Sequence, residues 1–109
     1  MKQTLPLLMT VGILALSTSI LALSAASPPS STVRNGQRLY AQSCASCHDA
    51  HSTNRKVGPG LKGYYEEHRP RPTDAGVRAI IVNGKGKMTG FSSFNQSQMN
   101  DLIAYLKTL

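Results

Sequence analysis

The chain has 109 residues, 40% of them apolar and 16% charged, with 12 Lys and Arg against 5 Asp and Glu for a formal charge of +7. That length fits one small domain once any targeting segment is set aside, and it leaves no room for a second core. No nucleic-acid motif accompanies the positive balance, which reads either as a solvated basic surface or as a field steering the chain toward an acidic face on a protein partner.

After Met1-Lys2 no charge occurs until Arg34, and Leu5 to Leu23 is dominated by Leu, Ile, Val and Ala. A basic start, an apolar run and the small residues Ser24-Ala25-Ala26 describe a secretory signal peptide over residues 1–26, cleaved after Ala26. The run is long for a signal, so an uncleaved anchor in the inner membrane over residues 5–23 is the competing reading, at about 20 residues per span. Both readings send the remainder to the periplasm, and the chain meets a membrane only if the segment is retained. Loss of Lys2 lowers the charge to +6, with 11 basic against 5 acidic residues. The 83 residues that follow are marginal for a core of side chains alone. Residues 27–32, with Pro28-Pro29-Ser30-Ser31, read as a flexible lead-in to a domain over 33–109.

The first helix is expected over 33–46 with Thr32 as N-cap. Gly36, Tyr40 and Cys44 share one of its faces. A glycine inside a helix costs about 1 kcal/mol relative to alanine, which makes sense if a second helix approaches closely at Gly36.

Cys44-Ala45-Ser46-Cys47-His48 closes this segment. The spacing C-x-x-C-H is that of covalent c-type haem attachment. Two thiols one turn apart each add to a vinyl group of the porphyrin, and the next histidine lies under the iron as proximal ligand. A thioredoxin-like pair would open a helix in a βαβ pattern, and no strand-rich segment is visible. A zinc site needs four ligands, and only His51 and His68 are left to complete one. The haem reading leads, and a porphyrin would also supply the apolar centre that a short domain lacks.

Val57-Gly58-Pro59-Gly60-Leu61-Lys62-Gly63 is a turn-rich loop able to press backbone against a flat ligand. Tyr64 to His68 forms one further short turn. A second main helix spans 74–83, capped by Thr73 after Pro70 and Pro72, with Val77, Ile80 and Ile81 as its apolar stripe and Gly84 ending it in the left-handed conformation. Gly84-Lys85-Gly86-Lys87-Met88-Thr89-Gly90 follows as a loop without the register of a phosphate-binding motif. The last helix covers 96–108, with Asn95 and Gln98 as a capping box and Phe94 against Met99 as a hydrophobic staple. Met99, Leu102, Ile103 and Leu106 form its buried face, with Tyr105 at the edge. No repeat or strand alternation is evident, so the fold class is all-α: three main helices with long loops.

His48 leaves the opposite side of the iron open. His51 is too near His48 in sequence to cross over, His68 sits in the polar run Glu66-Glu67-His68-Arg69, and Met99 is accounted for by the staple. Met88 lies in a glycine-rich loop with no helix face to pack on, so it can extend to the metal; a loop methionine filling a core gap is its alternative role.

Taken together the chain resembles a small class I cytochrome c over nearly all of Val33 to Leu109. The likeness rests on Gly36, Tyr40 and Cys44-Ala45-Ser46-Cys47-His48, on Gly58-Pro59-x-Leu61-x-Gly63, on Asn83-Gly84-Lys85-Gly86-Lys87-Met88 and on Asp101-Leu102-Ile103-Ala104-Tyr105-Leu106. The resemblance implies the cytochrome c fold around one haem c, joined through Cys44 and Cys47, with His48 and Met88 as metal ligands. It implies that the Pro59 carbonyl accepts from the other ring nitrogen of His48, that Leu61 packs on the haem, and that the terminal helices cross at Gly36 and Tyr40 against Leu102 and Tyr105. Thr89 departs from the family, which usually has proline there, and implies a less rigid Met88 loop. The propionate partners do not carry over; Tyr64, Arg69 and Arg71 are candidates only.

The implied function is periplasmic electron transfer by an iron cycling between Fe(II) and Fe(III), in a carrier rather than an enzyme, with redox proteins as partners and no nucleic acid. Lys56, Lys62, Lys85 and Lys87 are the expected docking charges. The alternatives are a haem subunit of a larger oxidoreductase and a ligand sensor in which Met88 leaves the iron.

Overall fold

The computed structural model describes residues 26–109, so apart from Ala26 the signal peptide and the alternative anchor over 5–23 lie outside the described residues. Among those described, four helices follow in order: α1 Ser31–Ser43, α2 Tyr64–Glu67, α3 Asp74–Asn83 and α4 Gln96–Leu106. None of them is long and apolar enough to cross a membrane. Among the described residues the one β feature is an isolated bridge between Lys85 and Met88.

Helix α1 starts two residues earlier than expected, because the Ser30 hydroxyl rather than that of Thr32 accepts from the Val33 N–H. Ser30 is extended, with ψ 159°, and the helix begins directly after it. The lead-in is correspondingly shorter. The helix also stops at Ser43 instead of running to 46. The Tyr40 carbonyl accepts from both Cys44 and Ala45 N–H, and the chain then re-forms as a single turn in which the Cys44 carbonyl takes the N–H groups of Cys47 and His48.

The later helices start where their local signals place them. Thr73 caps α3 by accepting from Gly76 N–H, and Asn95 with Gln98 forms the full capping box of α4. Gly84 ends α3 at the positive φ expected of a glycine cap, 76°, but with ψ 173°, outside the left-handed helical region. Ile80 is only half-buried, so Val77 and Ile81 carry the α3 contact with the core. Helix α4 closes at Leu106, two residues early, where Thr108 N–H turns back to the Tyr105 carbonyl.

The crossing of α1 with α4 organises the molecule. A Cβ at Gly36 would lie 1.9 Å from the Asp101 carbonyl oxygen, so only glycine permits this approach. One turn on, the Tyr40 and Tyr105 rings meet edge to face with centroids 5.3 Å apart. Tyr105, expected at the edge of its face, is buried in the core beside Met99, Leu102, Ile103 and Leu106. Asp74 and Lys107 pair at 2.6 Å, and Arg78 donates to Asn100, fastening α3 across α4.

Candidate functional site

The turn after α1 presents Cys44 and Cys47, both free and half-buried, and aims His48 through contacts at both ends of the residue. On the main chain, the Tyr40 hydroxyl donates to the His48 carbonyl at 2.7 Å. On the ring, Nδ1 lies 2.8 Å from the Pro59 carbonyl oxygen. A carbonyl can only accept, so Nδ1 carries the proton and the lone pair of the neutral ring resides on Nε2. That is the tautomer a metal-binding histidine needs.

The loop before Pro59 is strapped to the same turn. Gly58 N–H bonds to the Cys47 carbonyl and the Lys56 ammonium to the Ala45 carbonyl, each at 2.9 Å. A Cβ on Gly58 would stand 2.4 Å from Cε1 of His48. The flat group against which this glycine presses is therefore the imidazole. Gly60 packs instead on the backbone of Ser52 to Asn54. Lys56, Lys62, Lys85 and Lys87, the expected docking charges, are all exposed, Lys56 while also bonded to the turn.

Burial, and after it the neighbouring Cys47, pushes the Cys44 thiol up to about 11. Reactive redox thiols are held low, as thiolates, so the environment argues against a dithiol pair. Among the described residues no three His, Cys, Asp or Glu side chains converge as a metal cluster.

Met88 sits half-buried against the core on a loop closed at both ends. Lys85 and Met88 exchange both backbone hydrogen bonds, at 3.1 and 2.9 Å, around Gly86 at φ 58°. Gly84, at φ 76°, faces the Met88 carbonyl, which a Cβ would approach to 2.4 Å, and a Cβ on Gly90 would come as near to the Val82 carbonyl. Phe91 N–H completes the closure on the Ile81 carbonyl at 2.7 Å. These contacts brace the loop around Met88, where the sequence has Thr89 in place of proline.

Leu61 is half-buried on the core, its N–H bonded to the Asp49 carbonyl at 2.7 Å. The three propionate candidates are engaged elsewhere. Tyr64 lies against the His68 ring, Arg69 donates to the Glu66 and His68 carbonyls, and Arg71 bonds the Tyr65 carbonyl and pairs with Glu66. His51 and His68 are exposed. The contact that reading the sequence missed is the phenol of Tyr40 on His48; helical spacing put Tyr40 on the right face but gave no sign of the carbonyl it meets.

The residues present fit a haem. The core is thin, with Leu102 alone fully inaccessible among the described side chains, while Leu61, Met88, Phe91 and Phe94 stay half-exposed although large and apolar. A flat apolar group bonded through Cys44 and Cys47 and ligated by Nε2 of His48 would complete the burial of such a surface.

The family model described as cytochrome C oxidase, cbb3-type, subunit III matches residues 31–106. Cytochrome c-L of Methylorubrum extorquens is 37% identical over 81 residues, which are 72% of this chain and 41% of that protein. A cytochrome c6-like protein of Nostoc is 25% identical over 85% of this chain and 86% of its own, and cytochrome c6 of Synechocystis is 32% identical over 66% and 61%. The chain thus spans less than half of the length of cytochrome c-L.

Proposed function

Because the chain belongs to the class I c-type cytochromes, we propose that it works outside the cytoplasm as a single-haem electron carrier with His48 and Met88 as the axial pair. Haem c, joined covalently through Cys44 and Cys47, supplies a one-electron couple between Fe(II) and Fe(III) when bound, at a potential that methionine ligation raises. His48 through Nε2 and Met88 through its thioether would be the two protein ligands to the iron. Two protein side chains in these places leave no position for a substrate, which suits electron transfer rather than turnover. Leu61 would pack against the porphyrin, and Gly58 lies against the His48 ring.

The observation that carries this reading is the bond between Nδ1 of His48 and the Pro59 carbonyl, which fixes the ring in the tautomer able to ligate. Replacing Met88 tests the pair. The oxidised wild type is expected to show the weak sulfur-to-iron charge-transfer band, and Met88→Ala to lose it and bind carbon monoxide when reduced. A band that survives in Met88→Ala would overturn the ligand assignment.

Export is supported by the apolar segment before Ala26, and the mass of the exported protein separates cleavage after Ala26 from an anchor retained over 5–23. The +7 charge supports redox partners with acidic docking faces. One observation favours a second reading, as a haem subunit of a larger oxidoreductase: the matching family model is described as an oxidase subunit. A carrier purifies from its native membrane-free extract as a lone species of its own mass, whereas a subunit brings a catalytic partner.

A further inference from the structure

We infer that Tyr40 is a positioning residue for His48, transmitting the rigidity of the α1–α4 crossing to the orientation of the imidazole ring. The inference rests on the reading of His48 as an iron ligand. Tyr40 is 4% exposed, and its hydroxyl reaches past the end of α1 to the carbonyl of a residue eight positions on, at 2.7 Å. Its ring is in turn held edge-on by Tyr105 of α4. One turn earlier, Gly36 brings α1 against the Asp101 backbone so closely that the helix has no freedom to slide.

His48 is therefore gripped at both ends. The phenol holds the main chain and the Pro59 carbonyl holds Nδ1, which together fix the torsions between Cα and ring. With the main-chain bond removed, the ring can turn about its remaining contact.

A phenol that merely satisfied a buried carbonyl would affect stability alone. The test uses the haem-loaded protein and two matched variants, Tyr40→Phe and Tyr105→Phe, each losing one hydroxyl from the same aromatic pair. The orientation of an axial imidazole sets how far apart the haem-methyl proton resonances of the oxidised protein spread. Tyr40→Phe is expected to change that spread and shift the midpoint potential, while Tyr105→Phe keeps both at wild-type values. A Tyr40→Phe protein with the wild-type spread and potential, or equal changes in Tyr105→Phe, would overturn the inference.

His48→Ala separates the inference from its premise. A low-spin spectrum unchanged in that variant removes His48 as ligand and the inference with it, whereas loss of that spectrum beside a silent Tyr40→Phe removes the inference alone. Should Tyr40→Phe fail to mature, the hydroxyl proton of Tyr40 is read by NMR in the wild-type holoprotein. A slowly exchanging resonance close to the Asp49 amide supports the grip, and a solvent-averaged one contradicts it.

Discussion

A methyl group at position 58 would stand 2.4 Å from Cε1 of His48 and 2.8 Å from Nδ1, so Gly58 is held by the ring it adjoins and not by its own backbone angles. Gly58→Ala should push the imidazole off the Pro59 carbonyl and produce a high-spin or mixed-spin fraction in the visible spectrum; a wild-type spectrum would show that the strap can yield. A second residue carries an opposite expectation. The Tyr65 hydroxyl is buried with no hydrogen-bond partner. A buried donor without a partner costs about 1–3 kcal/mol, so Tyr65→Phe should leave thermal stability unchanged or raise it, and a clear fall in Tm would reveal a bond. At this scale Cys44, Cys47 and His48 were legible because their chemistry requires contiguous letters. The partner of Nδ1 came only through the family resemblance, and the Tyr40 contact not at all, since a phenol can donate to any carbonyl that tertiary folding brings to it.

Helix starts were legible where a second signal backed the cap. Thr73 follows the break at Pro70 and Pro72, Asn95 has Gln98 three residues on for a capping box, and α3 and α4 begin after them. Before α1 three hydroxyl residues, Ser30, Ser31 and Thr32, stand in a row, and the cap falls on the first of them. Helix ends were read less well, because folding around the site sets them: α1 breaks at Cys44 so that the turn can deliver His48 to Tyr40 and Pro59. Removing the α4 cap with Asn95→Ala should cost about 1 kcal/mol in denaturant unfolding. Gly36→Ala should cost more, about 2 kcal/mol or above, since its Cβ meets backbone that cannot give way as a side chain can. If Gly36→Ala proved as mild as Asn95→Ala, the α1–α4 contact would be looser than 1.9 Å implies.

Across the whole molecule, ten buried apolar side chains form the described core, too few for a domain of this size to fold firmly on side-chain packing alone. The sequence showed this shortage through length, and the half-exposed Leu61, Met88, Phe91 and Phe94 show where it lies. Polypeptide made without attached haem, as in Cys44→Ala with Cys47→Ala, should therefore lack cooperative thermal unfolding by circular dichroism; a sharp transition like that of the holoprotein would contradict it. The positive charge acts at this scale too. Lys85→Glu with Lys87→Glu should slow electron transfer to an acidic partner at low ionic strength and flatten its salt dependence. Unchanged rates at every salt concentration would leave the charge with a role in solubility only.

The whole account depends on an iron porphyrin covalently held by this chain. Intact mass after acid–acetone extraction, on protein from a haem-c-maturing host, tests it directly. The account predicts coloured protein of polypeptide mass plus one haem, and a colourless chain of polypeptide mass alone would contradict it.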